Sequence, residues 1–214
     1  MTHTLKSKVY LVHGGDSVKA IADVCFDNSI TVKDCRLVKR TDGGELEIEL
    51  PKVKQKDGTY RQTVQLTKFH TIVLGAIKHS VIEAYNNAQQ GITTVSSDTF
   101  YELQKYESEQ KKLGIKAAIH RVDVPQNPTL KAIADISVDN YMVIKDIRVV
   151  EQNNQYRLIM PQKTMPDGSK TDRIVPANNT IAEKLKTSVV SLLNRKNIRE
   201  CDISERADDM YMFP

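Results

Sequence analysis

The chain has 214 residues and a mass of 24.2 kDa, a length that suits one large domain or two small ones. Hydrophobic residues make up 40% and charged residues 27% of the sequence, which is typical of a globular protein and argues against disordered, fibrous and coiled-coil classes. No run of 18 apolar residues occurs, and the first residues lack the apolar segment of a signal peptide, so we expect a cytoplasmic protein without a membrane partner. Cys25, Cys35 and Cys201 are odd in number and lack CxxC spacing, which predicts reduced thiols.

An internal repeat dominates the sequence. Residues 19–38 and 131–150 share 11 identities in 20 positions at an offset of 112, and the offset becomes 110 at residues 50–51 and 57–58. A repeat unit of roughly 85 residues is longer than solenoid or propeller units, so each copy can form its own core. We therefore predict two tandem domains, a connector and a tail, in the order 1–88, 89–113, 114–200 and 201–214, where the second range is the connector.

The first copy consists of predicted strands followed by one helix. Residues 19–27 and 30–40 are rich in Ile, Val and Phe and flank Asp-Asn-Ser, which predicts a hairpin. Residues 45–50 alternate strictly between polar and apolar, as in a strand with one buried face. Residues 56–59 (KDGT) predict a turn, and a short strand near residues 63–66 follows.

Each copy ends in an apolar stripe at helical spacing. The stripes comprise Val73, Ile77, Val81 and Ala84/Tyr85 in the first copy, and Ile181, Leu185, Val189 and Leu192/Leu193 in the second. Apolar residues at i, i+4 and i+8 lie on one face of an amphipathic helix. Strands followed by a helix predict the α+β class, with an antiparallel sheet and a C-terminal helix in each copy.

The connector carries a helix signal of its own. Residues 99–102 (TFYE) match the capping-box pattern, Leu103 and Leu113 supply apolar positions, and Gly114 suits the end of a helix. We therefore predict a helical linker at about residues 100–113.

The second copy holds several motifs in a fixed order, namely residues 131–134 (KAIA), 143–149 (VIKDIRV), 160–168 (MPQKTMPDG) and 176–178 (PAN). They resemble the family of the septation and sporulation regulator SpoVG, stage V sporulation protein G. Members of that family run a hairpin into Met-Pro-Ser-Lys-Arg-Thr-Pro-Asp-Gly, then a Pro-Ile-Asn stretch and a helix. The first copy is similar but matches less closely, with Leu-Pro at residues 50–51.

The resemblance implies a small β-sheet domain with a C-terminal helix. It also implies a homodimer that binds DNA and RNA and adjusts division, sporulation or virulence genes, without enzymatic activity, cofactor or metal. A chain with two such domains resembles a dimer fused through a linker, so we expect the copies to pair as an intramolecular pseudo-dimer, and further self-association stays open. Exposed sheet edges are the natural place for such pairing, because their N–H and C=O groups lack partners.

Both copies are basic. Residues 1–88 carry a net charge of +3 and residues 114–200 of +5, whereas the connector and the tail carry −1 and −3. Clustered Lys and Arg gain from counterion release on phosphates, so the loop after each Leu/Met-Pro pair is the candidate nucleic-acid contact. The candidate residues are Lys52, Lys54, Lys56, Tyr60 and Arg61 in the first copy, Lys163, Lys170 and Arg173 in the second, and Lys33 and Lys145 as second-rank contacts. The aromatic ring of Tyr60 suits stacking on a base.

The first copy is expected to make the stronger phosphate contact. Thr164 and Thr171 of the second copy stand where the family has basic residues, whereas Lys54 and Arg61 of the first copy match basic positions.

Two pairs of opposite charges are predicted to be structural. Asp34 and Arg36, like Asp146 and Arg148, lie two residues apart and hence on one strand face, which favours a salt bridge over ligand contact. The lysine before each Asp then points to the opposite face of the strand.

No sequence motif indicates an enzyme. The histidines do not recur between copies, and no HExxH, GxSxG, P-loop or GxGxxG motif is present. We therefore expect a non-enzymatic regulator that binds DNA or RNA. The alternative is a protein-interaction module of the division or sporulation machinery that does not bind nucleic acid, which the modest net charge of +4 keeps open. In a third interpretation the first copy only supports the second.

Overall fold

The computed structural model describes residues 2–14, 17–40, 44–55, 57–67, 70–90, 96–102, 114–122 and 124–194. The first copy and the connector contain strands β1 (Thr2–Leu11), β2 (Val18–Phe26), β3 (Ile30–Lys39), β4 (Leu46–Glu49), β5 (Lys52–Lys54), β6 (Tyr60–Gln62), β7 (Val64–Leu66) and β8 (Ser96–Glu102), and helix α1 (His70–Gln89). The second copy contains strands β9 (Ile115–Arg121), β10 (Leu130–Val138), β11 (Met142–Gln152), β12 (Gln155–Ile159), β13 (Gln162–Thr164), β14 (Lys170–Asp172) and β15 (Ile174–Pro176), and helix α2 (Asn179–Leu193).

The order of elements is the same in both copies. The succession β1–β7 and α1 recurs as β9–β15 and α2, and β8 alone has no counterpart among the described residues. The predicted hairpin is β2–β3, and most side chains of both predicted helix stripes are buried, namely Val73, Ile77, Val81, Ala84, Ile181, Leu185 and Val189. Tyr85, Leu192 and Leu193 are half-buried. These features confirm the α+β class with two tandem domains. Neither described helix is long and apolar enough to cross a lipid bilayer.

Each sheet takes one strand from the other copy. In the first sheet the order is β15-β3-β2-β1-β8, with β4 also paired to β3, so the second copy contributes β15. In the second sheet the order is β12-β11-β10-β9, with β7 of the first copy paired antiparallel to β11. The exchange is reciprocal, and Val64, Leu66 and Ile174 on the exchanged strands are buried.

A β-bulge at the same place in β3 and β11 accompanies the exchange. Asp34 and Asp146 both have a φ angle of 61°, and the register with the neighbouring strand shifts beside each of them. On β3, the strand β15 pairs before the bulge and β4 pairs after it, and β7 and β12 divide β11 in the same way. A bulge bends the strand that carries it. The outer edge of β3, like that of β11, therefore pairs with two short strands, one on each side of the bulge.

The connector differs from the sequence-based expectation. Residues 96–102 form β8, which pairs antiparallel with β1, so the predicted helix is wrong at residues 100–102. The remainder of that helix, residues 103–113, and the predicted tail lie outside the described residues. A capping box is a local signal, whereas β1 offers a row of N–H and C=O groups that a neighbouring strand satisfies.

Candidate nucleic-acid interface

Two hairpins present the predicted basic loops, β5–β6 in the first copy and β13–β14 in the second. The turn of each is closed by its own side chains. Asp57 Oδ1 accepts hydrogen bonds from Thr59 N at 2.9 Å and Thr59 Oγ1 at 2.7 Å, and Asp167 Oδ1 accepts from Ser169 N at 2.9 Å and Ser169 Oγ at 2.6 Å. These bonds hold the pKa of both carboxyls below the usual value. The predicted Asp-Gly turn is confirmed, and its geometry does not depend on a ligand.

The two hairpins border one groove of about 360 Å³. Its walls come from both copies and comprise Val53, Gln55 and Arg61 on the first hairpin and Gln162, Thr164 and Lys170 on or beside the second. Ile133, Asp146 and Arg148 of the second sheet also line it. The reciprocal strand exchange therefore brings both predicted basic loops to one surface of the molecule.

Ion pairs across the copies attach each hairpin to the opposite sheet. Arg61 Nη1 lies 3.1 Å from Asp146 Oδ1, and Lys163 Nζ lies 2.9 Å from Asp34 Oδ1. Arg173 Nη1 adds a longer contact of 3.9 Å to Asp34 Oδ2. Both bulge aspartates thus accept cations from the hairpin of the other copy.

The cations of these pairs occupy different positions in the two copies. At the offset of 110, Arg61 aligns with Thr171, whereas Lys163 aligns with Val53 and Arg173 with Thr63. The interaction is repeated although the residue positions are not, so alignment of the two copies cannot reveal it.

Burial disfavours the ionised form of Asp146, one of the two bulge aspartates. Its surroundings raise the pKa of Asp146 above 3.8, because desolvation outweighs the attraction of Arg61. Asp23, on the neighbouring strand of the first sheet, has a pKa raised by burial, with Lys33 acting in the opposite direction. The bulges are therefore sites where carboxylates are partly removed from water.

Five of the predicted contact residues lie on the exposed surface, namely Lys52, Lys54, Tyr60, Arg61 and Lys170. Tyr60 is 66% exposed. Lys52 Nζ lies 3.7 Å from Glu49 Oε1, a solvent-exposed pair that leaves the ammonium accessible. Lys56 lies outside the described residues.

Lys145 is not available as a surface contact. It retains only 7% of its exposed surface, and its Nζ donates to Asp135 Oδ2 at 2.9 Å. Asp135 Oδ1 also accepts from the Asp146 N–H at 3.1 Å, so the pair belongs to the bulge. The prediction for Lys145 is therefore corrected, because its ammonium is buried against the Asp135 carboxylate beside the bulge. Its counterpart Lys33 is half-buried.

The predicted salt bridges within each strand are also replaced. The carboxylates of Asp34 and Asp146 accept cations from the opposite copy, and Arg148 Nη2 donates instead to Gln162 Oε1 at 3.1 Å. Sequence reasoning missed Gln162 and Arg148 as members of the groove. The sequence signal available for the bulge was the Asp that both copies carry at this position, because Asp is one of the residues enriched at positive φ.

Within the part of the chain that the structure describes, no three His, Cys, Asp or Glu side chains are grouped to hold a metal ion. The candidate surface combines the exposed basic side chains and the Tyr60 ring of the hairpins with a groove lined by Arg61, Arg148, Gln162 and Asp146. Such groups suit hydrogen bonding, charge attraction and stacking.

Comparison with known proteins places both copies in one family. The SpoVG family model matches residues 3–87 and 115–195. Among curated relatives named "Putative septation protein SpoVG", the protein of Brevibacillus brevis is 39% identical over 66 residues, covering 31% of this chain and 70% of the relative. Those of Geobacillus thermodenitrificans and Bacillus cytotoxicus are each 36% identical, over 76 and 66 residues, covering 36% and 31% of this chain and 79% and 68% of the relative. The chain therefore belongs to the SpoVG family, with two family domains in tandem.

Proposed function

We propose that this chain is a non-enzymatic, cytoplasmic regulator of septation, sporulation or gene expression that binds nucleic acid through its two hairpins. The convergence of β5–β6 and β13–β14 on one groove carries the proposal. Relatives named for septation support the biological setting.

The charges of this surface favour phosphate as the ligand. Lys54 and Lys170 are exposed and make no ion pair among the residues that the structure describes, and Lys52 shares only an exposed carboxylate. Phosphate contacts from such lysines release counterions, which gives affinity without requiring a particular sequence. Tyr60 stands beside them with an exposed ring, which suits stacking on an unpaired base.

The ion pairs across the copies favour a second candidate. Arg61, Lys163 and Arg173 already share aspartates of the opposite copy, which reduces the charge available to phosphates. A surface neutralised in this way suits a protein-interaction module of the division or sporulation machinery that does not bind nucleic acid.

A charge-matched pair of double variants tests the proposal. Lys52→Ala with Lys54→Ala removes two positive charges from the first hairpin. Lys184→Ala with Lys186→Ala removes two from α2, away from the groove. The control is closely matched, because Lys52 and Lys186 have equally exposed side chains, at 38%, and each lies 3.7 Å from a glutamate three residues earlier.

The measurement is fluorescence anisotropy with labelled duplex DNA and single-stranded RNA at several salt concentrations. We expect the hairpin variant to bind more weakly and to reduce the slope of log affinity against log salt by about 2, one for each lost phosphate contact. The α2 variant should keep the parent slope. Equal binding by both variants would remove the hairpin from the interface, and absence of binding by the parent at low salt would leave the protein-interaction module as the function.

A further inference from the structure

The two bulges have the same backbone arrangement but carry different side chains. At the β3 bulge, Lys33 N donates to Arg173 O at 2.7 Å, and at the β11 bulge, Lys145 N donates to Thr63 O at 2.9 Å. The N–H groups of Arg173 and Thr63 donate to the proline that precedes each hairpin, at 2.8 Å and 3.0 Å. Arg173 therefore occupies in one copy the place that Thr63 occupies in the other.

The Thr63 side chain is satisfied within its own copy, whereas the Arg173 side chain is not. Thr63 Oγ1 donates to Pro51 O at 3.0 Å. Arg173 Nη1 reaches Asp34 Oδ2 only at 3.9 Å, and the buried Arg173 Nε has no hydrogen-bond partner among the residues that the structure describes. A largely buried guanidinium with so weak a partner keeps a positive charge that solvent screens poorly.

Two further cations surround this guanidinium. Lys163 Nζ lies 2.9 Å from Asp34 Oδ1, so one carboxylate faces both Lys163 and Arg173. Arg36 adds a positive charge on the exposed side of β3. Burial lowers the pKa of Arg173, Asp34 acts in the opposite direction, and the charge of Arg36 lowers it further. Arg36, Lys163 and Arg173 form what we call the β3 cation cluster.

The corresponding arginine of the second copy has a neutral partner. Arg148 Nη2 donates to Gln162 Oε1 at 3.1 Å. At the repeat offset of 110, Lys52 stands in place of Gln162, and its Nζ lies 3.7 Å from Glu49, the residue opposite Arg36 on β4. At the β3 bulge, two carboxylates, Asp34 and Glu49, thus stand among four cations, namely Arg36, Lys52, Lys163 and Arg173.

We propose that the β3 cation cluster binds a phosphate group, with Arg36 and Lys163 contacting its oxygens at the surface and Arg173 adding charge from beneath. Arg36 is exposed and the Lys163 side chain retains 40% of its exposure. A guanidinium can donate to two phosphate oxygens at once, which suits Arg36 for this role. Asp34 is a positioning residue, because it holds both Lys163 and Arg173 at the bulge.

The site requires only a phosphate group, so it does not depend on the proposed nucleic-acid function. The phosphate can belong to the backbone of a nucleic-acid strand or to a phosphomonoester. Arg36, which the sequence predicts to form a structural bridge with Asp34, becomes a ligand contact in either case.

Titration with inorganic phosphate at constant ionic strength tests the site, with amide resonances followed by two-dimensional NMR. We expect saturable shifts at Lys33 and Arg36 on β3. Arg36→Gln should weaken the phosphate affinity at least fivefold. The matched control is Arg157→Gln, which removes an exposed arginine from β12 of the second sheet and should leave the affinity unchanged.

Arg173→Thr provides an independent check, because Thr63 shows that the equivalent backbone accepts threonine. We expect it to weaken phosphate affinity at least threefold although the side chain is largely buried, and the same spectra report whether the variant is folded. Absence of a saturable shift on β3 in the parent chain would overturn the proposal. Equal affinities of the Arg36→Gln and Arg157→Gln variants would overturn it as well.

Single-stranded RNA with and without a terminal phosphate identifies the source of the phosphate. If the cluster holds a backbone phosphate, both RNAs bind alike and Arg36→Gln reduces the slope of log affinity against log salt by about 0.7. If it holds a terminal phosphomonoester, the phosphorylated RNA binds more tightly and Arg36→Gln removes only that difference.

The two proposals can fail separately. A phosphate response on β3 in a chain that binds no RNA at low salt would support the anion site, assign it to a free phosphorylated molecule and refute the nucleic-acid function. RNA binding by a chain that shows no phosphate response on β3 would overturn the anion site and leave the hairpins as the interface.

Discussion

Asp146 combines a left-handed backbone with a partly buried carboxylate, and its protonation should influence stability. Burial raises its pKa above the value of 3.8 that the unfolded chain would have, despite the ion pair with Arg61. The folded state then holds more protons than the unfolded state between these two pKa values, so stability falls as pH rises through that window. Above the window the ionised carboxylate carries a net cost.

Asp146→Asn should therefore be tolerated at neutral pH. Asn adopts positive φ nearly as readily as Asp and has no charge to desolvate. We expect the free energy of unfolding at pH 7 to stay equal or rise by less than about 1 kcal/mol, with a difference from the parent that vanishes below pH 4. Urea unfolding at the two pH values measures it. A large loss of stability at pH 7 would show that the Arg61 pair outweighs burial.

The equivalent change in the first copy serves as the contrast. Asp34→Asn withdraws a carboxylate from both Lys163 and Arg173, and the Arg173 side chain retains only 13% of its exposure. We expect a loss of about 1 kcal/mol at pH 7, because a half-buried guanidinium loses its counter-charge. If Asp34→Asn and Asp146→Asn behave alike in urea unfolding, the different cation arrangements have no energetic consequence.

The cysteines should differ sharply in reactivity. Cys35 is fully buried, and burial raises the pKa of its thiol to about 12, whereas Cys25 is half-buried. Because the thiolate is the reactive form, Cys35 should not react at pH 8 until the protein unfolds. In a Cys201→Ser chain, a thiol reagent should modify one cysteine in buffer and two in denaturant, with mass spectrometry identifying Cys25 as the first. Modification of Cys35 in buffer would indicate local opening of β3.

At the scale of elements, local patterns predicted most strands and both helices. The apolar stripes depend on burial of one helix face, which the structure retains, and Leu46 and Ile48 of the alternating segment pack against the core although all four residues of β4 are half-buried. The three residues of β7 do not indicate their partner, because β3 and β11 offer nearly the same edge. Whether β7 pairs with its own copy or with the opposite copy depends on the whole chain, and the ion pairs of the hairpins do as well. The helix predicted from the capping box at residues 99–102 was wrong for the same reason, because strand pairing with β1 competes with helix formation there.

The exchanged strands should be sensitive to proline only at alternate positions. Lys145 N donates to Thr63 O and Thr67 N donates to Tyr141 O, which places Gln65, midway between them, at a hydrogen-bonded position of the ladder. Gln65→Pro removes that bond and should cost roughly 2–4 kcal/mol, whereas Gln65→Ala changes only the side chain and should cost far less.

The midpoint of urea unfolding distinguishes these two variants. β15 supplies an internal precedent, because Pro176 occupies its non-hydrogen-bonded position opposite Ile30. Equal midpoints for the Pro and Ala variants would mean that β7 contributes little to the second sheet.

At the scale of the whole molecule, the exchange couples the two cores. Phe26 and Tyr141 stack with ring centroids 5.9 Å apart, and Tyr141 Oη donates to Asp27 Oδ2 at 3.2 Å, so the copies meet beside the exchanged strands as well. A fragment that holds one copy would expose the buried side chains of its donated strand and leave a sheet edge open. Both are features that promote association.

The intact chain should therefore unfold in one cooperative transition, and separate fragments 1–102 and 114–214 should not be stable monomers. We expect each fragment alone to associate or to lack cooperative unfolding, and an equimolar mixture to form a 1:1 complex whose unfolding resembles that of the intact chain. Circular dichroism and light scattering follow both outcomes. A monomeric fragment with the stability of the intact chain would contradict this coupling, because buried residues such as Ile174 and Val64 would then not need the opposite sheet.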